Sequence, residues 1–267
     1  MCNLHRLNPG EPVVLDERST QGKTFCTDRK RAEADFKELR HELCDWQSRL
    51  YAADDKKLLV VLQALDAGGK DGTIRRVFQG VNPQGVRVTS FKAPTRHELK
   101  LDYLWRVHRA VPSAGMIGVF NRSHYEDVLA VRVHDIVSEA VWRPRYEQIN
   151  QFESLLTSTG TTIVKIFLHI SKKEQKKRFE ERLQVPDKNW KFSVDDLEKR
   201  KYWMDYRNAF EEMLQRCTTA HAPWHVIPAD QKWYRNLAVT NLLVHTLREM
   251  DPQYPPPPSG LEDIVVE

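Results

Sequence analysis

The amino-acid sequence predicts an α/β fold in which a parallel sheet of five strands lies between two layers of helices, as a three-layer sandwich. Five short apolar segments alternate with helical segments, as expected for parallel strands joined by crossover helices. The first apolar segment is followed by a glycine-rich turn that contains a lysine, and then by a helical segment. A strand, a glycine-rich turn and a helix in this order are typical of a phosphate-binding loop.

The composition is that of a globular chain. The 267 residues are enough for one large α/β domain, and 40% of them are hydrophobic and 29% are charged. No apolar run approaches the roughly 18 residues of a membrane span, and no secretory signal is visible. The four cysteines form no CxxC pair, which favours reduced thiols in the cytoplasm. The net charge of +4 indicates a mild preference for anionic partners.

The predicted phosphate-binding loop follows the first strand. Residues 58–62 are all apolar, as in a strand that is buried on both faces, and residues 66–72 read DAGGKDG. The glycines allow several backbone N–H groups to point into one concavity, and Lys70 can reach the bound phosphates. The match is imperfect, because Ala64 and Asp71 stand where the pattern GxxxxGK[ST] has a glycine and a hydroxyl residue. An ordinary glycine-rich turn with a solvated lysine is the alternative.

Two carboxylates accompany this loop. Asp66 lies within it and Asp71 directly follows the lysine. Carboxylates beside bound phosphates would repel them unless a divalent cation lay between, and Mg²⁺ shared by carboxylate and phosphate oxygens meets that need. The loop therefore predicts a phosphate site that works with Mg²⁺.

Hydrophobic periodicity and capping residues predict the other elements in order. Strands are predicted over residues 58–62, 86–91, 116–120, 161–170 and 224–228. Longer helices are predicted over residues 28–51, 95–111, 141–158, 193–216 and 233–250. A short helix follows the loop and ends near Gly80, and a basic helix begins after Ser171.

The chain divides into three parts. Residues 1–26 carry turn signals without periodicity and are predicted to be an N-terminal arm. Residues 27–250 contain all the predicted strands and form a single domain. Residues 251–267 include four consecutive prolines and are predicted to be an extended tail.

A second polar segment, NRSHYED at residues 121–127, follows the third predicted strand. Ligands of open parallel sheets bind where the strands end. This segment and the loop at residues 66–72 should therefore meet at one edge of the sheet. Together with the loop, this arrangement predicts the P-loop kinase class of α/β sandwiches.

Residues 172–192, which we call the basic lid, are rich in lysine and arginine and contain interleaved aromatic residues. Like charges four residues apart slightly destabilise a helix, and a bound polyanion would relieve that repulsion. A solvated helix face that is partly neutralised by its own glutamates is the alternative.

Four segments, in this order, resemble the polyphosphate kinase 2 family: LDAGGKDGTIR, VFNRSHYEDVL, HISKKEQKKRFEERL…PDKNWKF and APWHVIPAD. They extend over roughly residues 30–250. The resemblance implies a P-loop kinase fold and reversible phosphoryl transfer between inorganic polyphosphate and nucleotides, with Mg²⁺ or, in its place, Mn²⁺. Asn121 stands where many members have aspartate, which resembles the class III subgroup that phosphorylates both AMP and ADP. A neutral amide binds Mg²⁺ less well than a carboxylate, so Glu126 or Asp127 is expected to replace it as a metal ligand.

The resemblance also implies roles for individual residues. Catalytic roles fall on Asp66, Lys70, Arg122, Asp127 and Arg178. Phosphate binding falls on Ala67, Gly68, Gly69, Lys70, Asp71, Gly72, Thr73, Arg75, Lys176, Arg178 and Arg182. Nucleotide binding falls on Asn121, Arg122, Tyr125, Glu126, Lys188 and Trp190; a structural role is the alternative for Tyr125, and anchoring of the lid is the alternative for Trp190. The expected metal ligands are Asp66, Glu126 and Asp127.

The expected partners are inorganic polyphosphate and AMP, ADP and ATP, with guanine nucleotides as further candidates. A cytoplasmic homo-oligomer is expected, without nucleic acid or membrane partners. An ATP-dependent P-loop kinase of a small metabolite would explain the loop but not the long basic lid. A non-enzymatic binder of polyanions or single-stranded nucleic acid would explain the lid but not the carboxylates beside the loop.

Overall fold

The computed structural model describes residues 4–190, 192 and 194–260. Its centre is a five-stranded sheet in which every strand is parallel to its neighbours, in the order β2-β3-β1-β4-β5. The strands are β1 Lys57–Gln63, β2 Val86–Ser90, β3 Ile117–Asn121, β4 Thr161–His169 and β5 Trp224–Pro228. The predicted parallel α/β sheet is therefore confirmed.

Eleven α-helices occur in the described residues. They are α1 Arg29–Ala53, α2 Lys70–Val77, α3 Trp105–His108, α4 Ala130–Val133, α5 Glu139–Trp142, α6 Arg145–Ser158, α7 Lys172–Gln184, α8 Pro186–Asn189, α9 Val194–Lys201, α10 Trp203–Arg216 and α11 Lys232–Met250. One face of the sheet packs against α1, α2 and α11, and the other against α6 and α10. The sheet is thus covered by helices on both faces.

The central strand β1 explains why its sequence is apolar without alternation. It pairs with β3 on one side and with β4 on the other, and all its residues after Lys57 are buried. A strand covered by helices on both faces requires apolar side chains at successive positions. Its carboxyl end, at the middle of the sheet, is where the glycine-rich loop begins.

The single helix predicted over residues 95–111 is wrong. Its capping box forms, because the backbone N of Thr95 donates to Glu98 Oε2 (2.7 Å) and that of Glu98 donates to Thr95 Oγ1 (3.2 Å). After one turn the backbone becomes extended at Leu101. Asp102 then caps a new turn by accepting a hydrogen bond from Leu104 N (3.0 Å), which leads into α3. A local side-chain cap thus competes with continuation of the helix.

Two more predicted helices are interrupted. The helix over residues 141–158 is divided into α5 and α6 at Pro144, whose ring cannot continue a preceding helix. The helix over residues 193–216 is divided into α9 and α10 at Tyr202, and its predicted cap Ser193 lies outside the described residues.

The described part of the predicted N-terminal arm packs on the domain. Leu7 N donates to Trp224 O (2.9 Å), and Val226 N donates to His5 O (2.8 Å). Leu7 and Leu15 are fully buried. These contacts attach residues 4–15 to the outer side of β5 and to the core below it.

A buried polar network joins β4 to α6. Lys165 Nζ donates to Glu153 Oε2 (2.6 Å) and to Tyr125 Oη (2.9 Å), and the Tyr125 hydroxyl donates to Glu153 Oε1 (2.8 Å). His124 Nε2 lies 3.1 Å from the same Oε1 atom. All four side chains are buried, so the ion pair between Lys165 and Glu153 lies inside the protein core.

Within the described residues, no helix is both long and apolar enough to cross a membrane.

Candidate active site

The glycine-rich loop closes tightly between β1 and α2. Gly68 N donates to Leu65 O (2.9 Å), and Gly69 precedes α2 with a φ of +102°. A Cβ on Gly68 would lie 2.5 Å from the Cβ of Ala64, so a side chain does not fit there. Ala67 also has a positive φ, +58°, which is uncommon outside glycine. This geometry brings the backbone of residues 66–70 to the N-terminus of α2, where anions bind favourably.

Lys70 is the first residue of α2 and is 9% exposed. Its Nζ donates to the carbonyl oxygen of Ala64 (2.9 Å), so the side chain folds back over the loop. Burial, together with the nearby charge of Arg122, lowers the pKa of Lys70 to about 8, although Asp66 opposes the change. An ammonium has three donors, and this contact occupies one of them.

Arg122 joins the loop to the segment that follows β3. Its Nη2 donates to Asp66 Oδ1 (2.7 Å), and its Nη1 lies 3.5 Å from Glu126 Oε2. Arg122 adopts a φ of +62°, a conformation that in a bulky residue often marks a functional site. Burial would raise the pKa of Asp66, but the charges of Lys70 and Arg122 outweigh it, and the net pKa is lowered. Asp66 is therefore anionic at neutral pH.

The two candidate carboxylates after β3 point to different partners. Glu126 faces the loop, where Gln63 Nε2 also donates to it (3.2 Å). Asp127 instead pairs with Arg145 of α6 (3.1 Å), whose guanidinium lies over the Tyr103 ring. Burial raises the pKa of Asp127, and Arg145 opposes this. The structure thus brings Glu126, and not Asp127, into contact with the Asp66–Arg122 pair.

Asn121, at the end of β3, contacts the loop through Asp71. Its Nδ2 donates to Asp71 Oδ1 (2.8 Å) and lies 3.4 Å from Ser90 Oγ. The amide of Asn121 supplies a donor that a carboxylate at this position would lack. Thr73 is buried, and its hydroxyl donates to Gly69 O (3.0 Å), which ties α2 to the loop.

Arg178 of α7 is expected to touch the transferred phosphoryl group, but the structure places it behind the loop. It is 7% exposed, and Nη1 donates to the carbonyls of Ala67 and Gly68 (both 3.0 Å). Nη2 donates to Ala229 O, and Nε pairs with Glu174 (2.9 Å). Every nitrogen of the guanidinium therefore holds a protein group, and Arg178 positions the loop.

The other residues of the basic lid that are expected to bind phosphate or nucleotide lie nearer the surface. Lys176 and Trp190 are exposed, Trp190 by 77%. Lys188 pairs with Glu181, and the guanidinium of Arg182 lies 5.3 Å from the ring centroid of Phe179. Arg75 on α2 is also exposed.

Several side chains at the site were not predicted from the sequence. Gln175 Nε2 donates to Asp66 O (2.9 Å), and Lys199 Nζ lies 3.8 Å from Asp66 Oδ2. A cleft opens beside Asp66 and Arg122, and its far wall is formed by Lys199 and Arg200 of α9 and by the aromatic residues Trp203, Tyr206 and Phe210 of α10. The basic end of α9, KRK at residues 199–201, is the signal that could have indicated this wall.

The family model for polyphosphate kinase 2 (PPK2) matches residues 26–255. The chain belongs to the polyphosphate kinase 2 family. It is 55% identical to the AMP/ADP-polyphosphate phosphotransferase of Meiothermus ruber over 86% of both chains. It is 44% identical to the ADP-polyphosphate phosphotransferase of Rhodopseudomonas palustris over 94% of this chain and 91% of that one. The crystal structure of polyphosphate kinase 2 from Arthrobacter aurescens TC1 superposes with a TM-score of 0.93 at 41% identity, covering 97% and 93% of the two chains.

In this polyphosphate kinase 2 chain, Tyr125, which was expected to contact the nucleotide, lies in the protein core. Tyr125 is completely buried and bonded to Glu153 and Lys165. Its ring stands 4.9 Å from that of Trp224 in the core. Tyr125 therefore supports the segment that carries Arg122 and Glu126, and it does not line the cleft.

The carboxylates of this polyphosphate kinase 2 chain fit a cation that is shared with phosphates. In the part of the chain that the structure describes, no three His, Cys, Asp or Glu side chains converge as a metal cage. Asp66 and Glu126 approach one another through Arg122. Mg²⁺ is commonly held by one or two carboxylates together with substrate phosphates and water, so this pair suffices for that mode of binding.

Proposed function

We propose that this polyphosphate kinase 2 phosphorylates AMP to ADP and ADP to ATP, with inorganic polyphosphate as the phosphoryl donor, in a reversible reaction. The observation that carries the proposal is the bridge from Asp66 through Arg122 to Glu126, beside Lys70 on the loop. This arrangement brings two carboxylates and two positively charged side chains to the point where the phosphate-binding loop borders the cleft. The relative from Meiothermus ruber, named for both AMP and ADP, supports the two acceptors.

The donor is held at the loop. The N-terminus of α2 and the backbone of residues 67–72 face the phosphate oxygens, and Lys70 donates to them with the protons that Ala64 does not engage. Arg178 keeps the loop in this shape by holding its carbonyls. In a loose phosphoryl-transfer transition state, such fixed positive charge contributes most of the catalysis.

The acceptor nucleotide occupies the cleft. The base can stack on the partly exposed rings of Trp203 and Tyr206 on α10, and Lys199 and Arg122 face the phosphates of the nucleotide. The attacking atom is an oxygen of the terminal phosphate of AMP or ADP, which is already anionic. The reaction therefore needs no general base from the protein.

Mg²⁺, or Mn²⁺ in its place, is the proposed cofactor, held by Asp66 and Glu126 with the substrate phosphates. When bound, the cation neutralises the phosphate oxygens and orients donor and acceptor. Arg122 supports this site, because its planar guanidinium contacts both Asp66 and Glu126 and keeps the two carboxylates at a defined separation.

We further propose a homo-oligomer in the cytoplasm, with guanine nucleotides as additional acceptors. Cys26, Cys44 and Cys217 are free thiols, which supports a reducing compartment. Leu99 and Ile136 are 69% and 63% exposed, which supports self-association. Light scattering after size exclusion tests the oligomer, and assays with GMP and GDP test the base preference.

The decisive experiment measures ADP and ATP formation from AMP and from ADP, each with long-chain polyphosphate and Mg²⁺. We expect turnover with both acceptors and its loss in EDTA. Product from ADP alone would restrict the enzyme to the second step. Folded protein that transfers phosphate from ATP to a metabolite, and ignores polyphosphate, would replace the proposal with an ATP-dependent kinase.

A further inference from the structure

Arg235 of α11 is a buried guanidinium that lies against the phosphate-binding loop. Only 3% of the residue is exposed. A Cβ added to Gly69 would lie 2.2 Å from Nη1 of Arg235, and one added to Gly72 would lie 3.6 Å from its Nη2. Arg235 therefore reaches both the loop and the first turn of α2, and the glycine at position 69 is needed for this approach.

The positive charge of Arg235 has no anionic counterpart in the described part of the chain. Its Nε and Nη2 donate to Asn236 Oδ1 (3.2 and 2.8 Å), which belongs to a neutral amide. No carboxylate of the described residues forms an ion pair with it. The neighbouring Arg178, by contrast, is paired with Glu174 (2.9 Å).

The electrostatic setting of Arg235 agrees with this geometry. Burial, together with the charge of Arg178, lowers the pKa of Arg235 to about 9. A buried charge is costly unless it is paired and hydrogen-bonded. The charge of Arg235 against the loop, which has only a neutral amide as partner among the described residues, is therefore suited to an anion from outside the protein.

We propose that Arg235 binds the polyphosphate donor and neutralises phosphoryl groups next to the one that is transferred. The inference rests on the proposed function and adds a phosphate-binding residue to it. Arg235 approaches the loop from α11, on the side of Gly69 and Gly72. The cleft for the acceptor is lined instead by residues of α9 and α10 with Arg122 and Glu126. Arg235 therefore acts on the donor and not on the nucleotide.

The guanidinium suits this task better than an ammonium would. Its planar fork can hold Asn236 with two nitrogens and direct Nη1 towards a phosphate oxygen. Hydrogen bonds between charged partners are worth roughly 1.5–3 kcal/mol, which corresponds to about a tenfold to hundredfold change in affinity. Loss of Arg235 should therefore appear in the affinity for polyphosphate.

The test compares Arg235→Gln and Arg235→Lys with the wild type and with Arg29→Gln, which removes one exposed charge on α1. For Arg235→Gln we expect the KM for polyphosphate to rise about tenfold or more, while the KM for ADP changes less than about twofold. The KM of Arg235→Lys for polyphosphate should lie between those of the wild type and Arg235→Gln, and Arg29→Gln should have the KM values of the wild type. A fall in kcat alone, or an equal rise in both KM values, would assign Arg235 a purely structural role and overturn the proposal.

Direct binding separates this inference from the proposed function. If the wild type makes no ATP, the proposed function fails, but binding of long-chain polyphosphate can still be measured by titration at several salt concentrations. The inference requires weaker binding with a shallower salt dependence in Arg235→Gln than in the wild type. Equal affinities would refute it. Melting curves identify unfolded variants, and Arg235→Lys carries the test if Arg235→Gln does not fold.

Discussion

Lys70 combines two properties that rarely occur together in a lysine. It is almost completely buried, yet it lies at the N-terminus of a helix and beside a loop shaped for anions. Its hydrogen bond to Ala64 holds the ammonium in place before any substrate arrives. Lys70 is therefore preorganised for phosphate, since little reorganisation is needed when the donor binds.

The variant Lys70→Ala should lose turnover and keep its fold. Removal of one preorganised charge from a phosphoryl-transfer site lowers kcat by about 10²–10³-fold or more. The fold is retained because the side chain makes a single hydrogen bond, to Ala64, and because a buried charge disappears. Initial rates with ADP and polyphosphate, together with melting curves, check both statements. A variant with a near-normal rate would contradict the assignment of the active site.

The affinity for polyphosphate should fall as the pH rises through about 8. The pKa of Lys70 is lowered to about 8, so in the free protein its positive charge is present below that pH and is lost above it. Bound phosphates favour the charged form, and each pH unit above the pKa weakens binding by up to about tenfold.

Titrations with polyphosphate between pH 6.5 and 9.5 check this prediction. The Lys70→Met variant is the control, and its binding should be weaker and should not fall through about pH 8; a decrease that remains near pH 9 belongs to Arg235, whose pKa is lowered to about 9. Affinity of the wild type that stays constant up to pH 9.5 would show that Lys70 keeps an ordinary pKa.

At the residue scale, the sequence revealed the loop and the polar segment after β3 because each follows an apolar strand directly. Arg122 and Glu126 could be assigned to the site for the same reason. Lys199 and Arg235 were not assigned to it: the basic end of α9 was the only signal for Lys199, and Arg235 is one charged residue of the largely apolar helix α11, where the sequence does not show what the side chain faces. The opposite error occurred at Tyr125, where a polar side chain within a motif is part of the core.

At the scale of elements, strand β4 is joined to α6 by a charged pair inside the protein. Lys165 and Glu153 are completely buried, and Lys165 also donates to Cys217 O (2.6 Å). Burial would raise the pKa of Glu153, but Lys165 and His124 reverse the effect and the net pKa is lowered. The ion pair stabilises the contact between β4 and α6 only while both of its partners are present.

The variant Lys165→Met should therefore destabilise the protein strongly. It leaves the carboxylate of Glu153 in the core without its cation, at a cost of about 3–5 kcal/mol in the free energy of unfolding. The double variant Lys165→Met/Glu153→Leu should recover part of that loss, because no unpaired charge remains. Urea unfolding curves measure both values. A loss below about 1 kcal/mol in the single variant would mean that water reaches the pair.

Secondary-structure elements were predicted best where a single hydrophobic pattern was strong. All five strands are found within one or two residues of their predicted positions. Besides the break at Tyr202, the errors lie in helices interrupted by local capping, at Asp102, or by a proline, at Pro144. Periodicity continued through both breaks, so hydrophobic spacing alone could not reveal them.

At the scale of the whole molecule, the N-terminal residues connect parts of the site that are distant in sequence. Leu15 N donates to Glu211 Oε1 of α10 (2.8 Å), and Leu15 O lies 3.1 Å from His169 Nε2 at the end of β4. Thr20 and Gln21 bond to Asp230 (2.8 and 2.7 Å), which also accepts from Ser171 N at the start of α7. The segment thus fixes the relative positions of the basic lid and the aromatic wall.

The substitution Leu15→Ala should lower the free energy of unfolding by about 2–5 kcal/mol, the usual range for a fully buried leucine. Leu15 is 2% exposed and packs in the core beside α10. The adjacent Val14, 42% exposed, provides a matched control, and Val14→Ala should cost less than about 0.5 kcal/mol. Chemical denaturation compares them. Similar values for the two variants would mean that this segment contributes little to global stability.

These long-range contacts could not be predicted, because an irregular segment has no periodicity to show which side chains are buried. The sheet, by contrast, was predictable as a whole, since alternating strands and helices permit few arrangements.

The strand order also has a consequence for the time course of folding. The central strand β1 acquires its neighbours from β3 and from β4, and β5 joins the sheet last in chain order. During synthesis, β1 therefore remains without one neighbour until residue 169 has left the ribosome, and residues 5–7 cannot dock until Trp224 has followed. Such non-local pairing makes folding slow and leaves apolar strands open to aggregation. Residues 5–7 thus precede the whole sheet in the sequence and yet are among the last to reach their native positions.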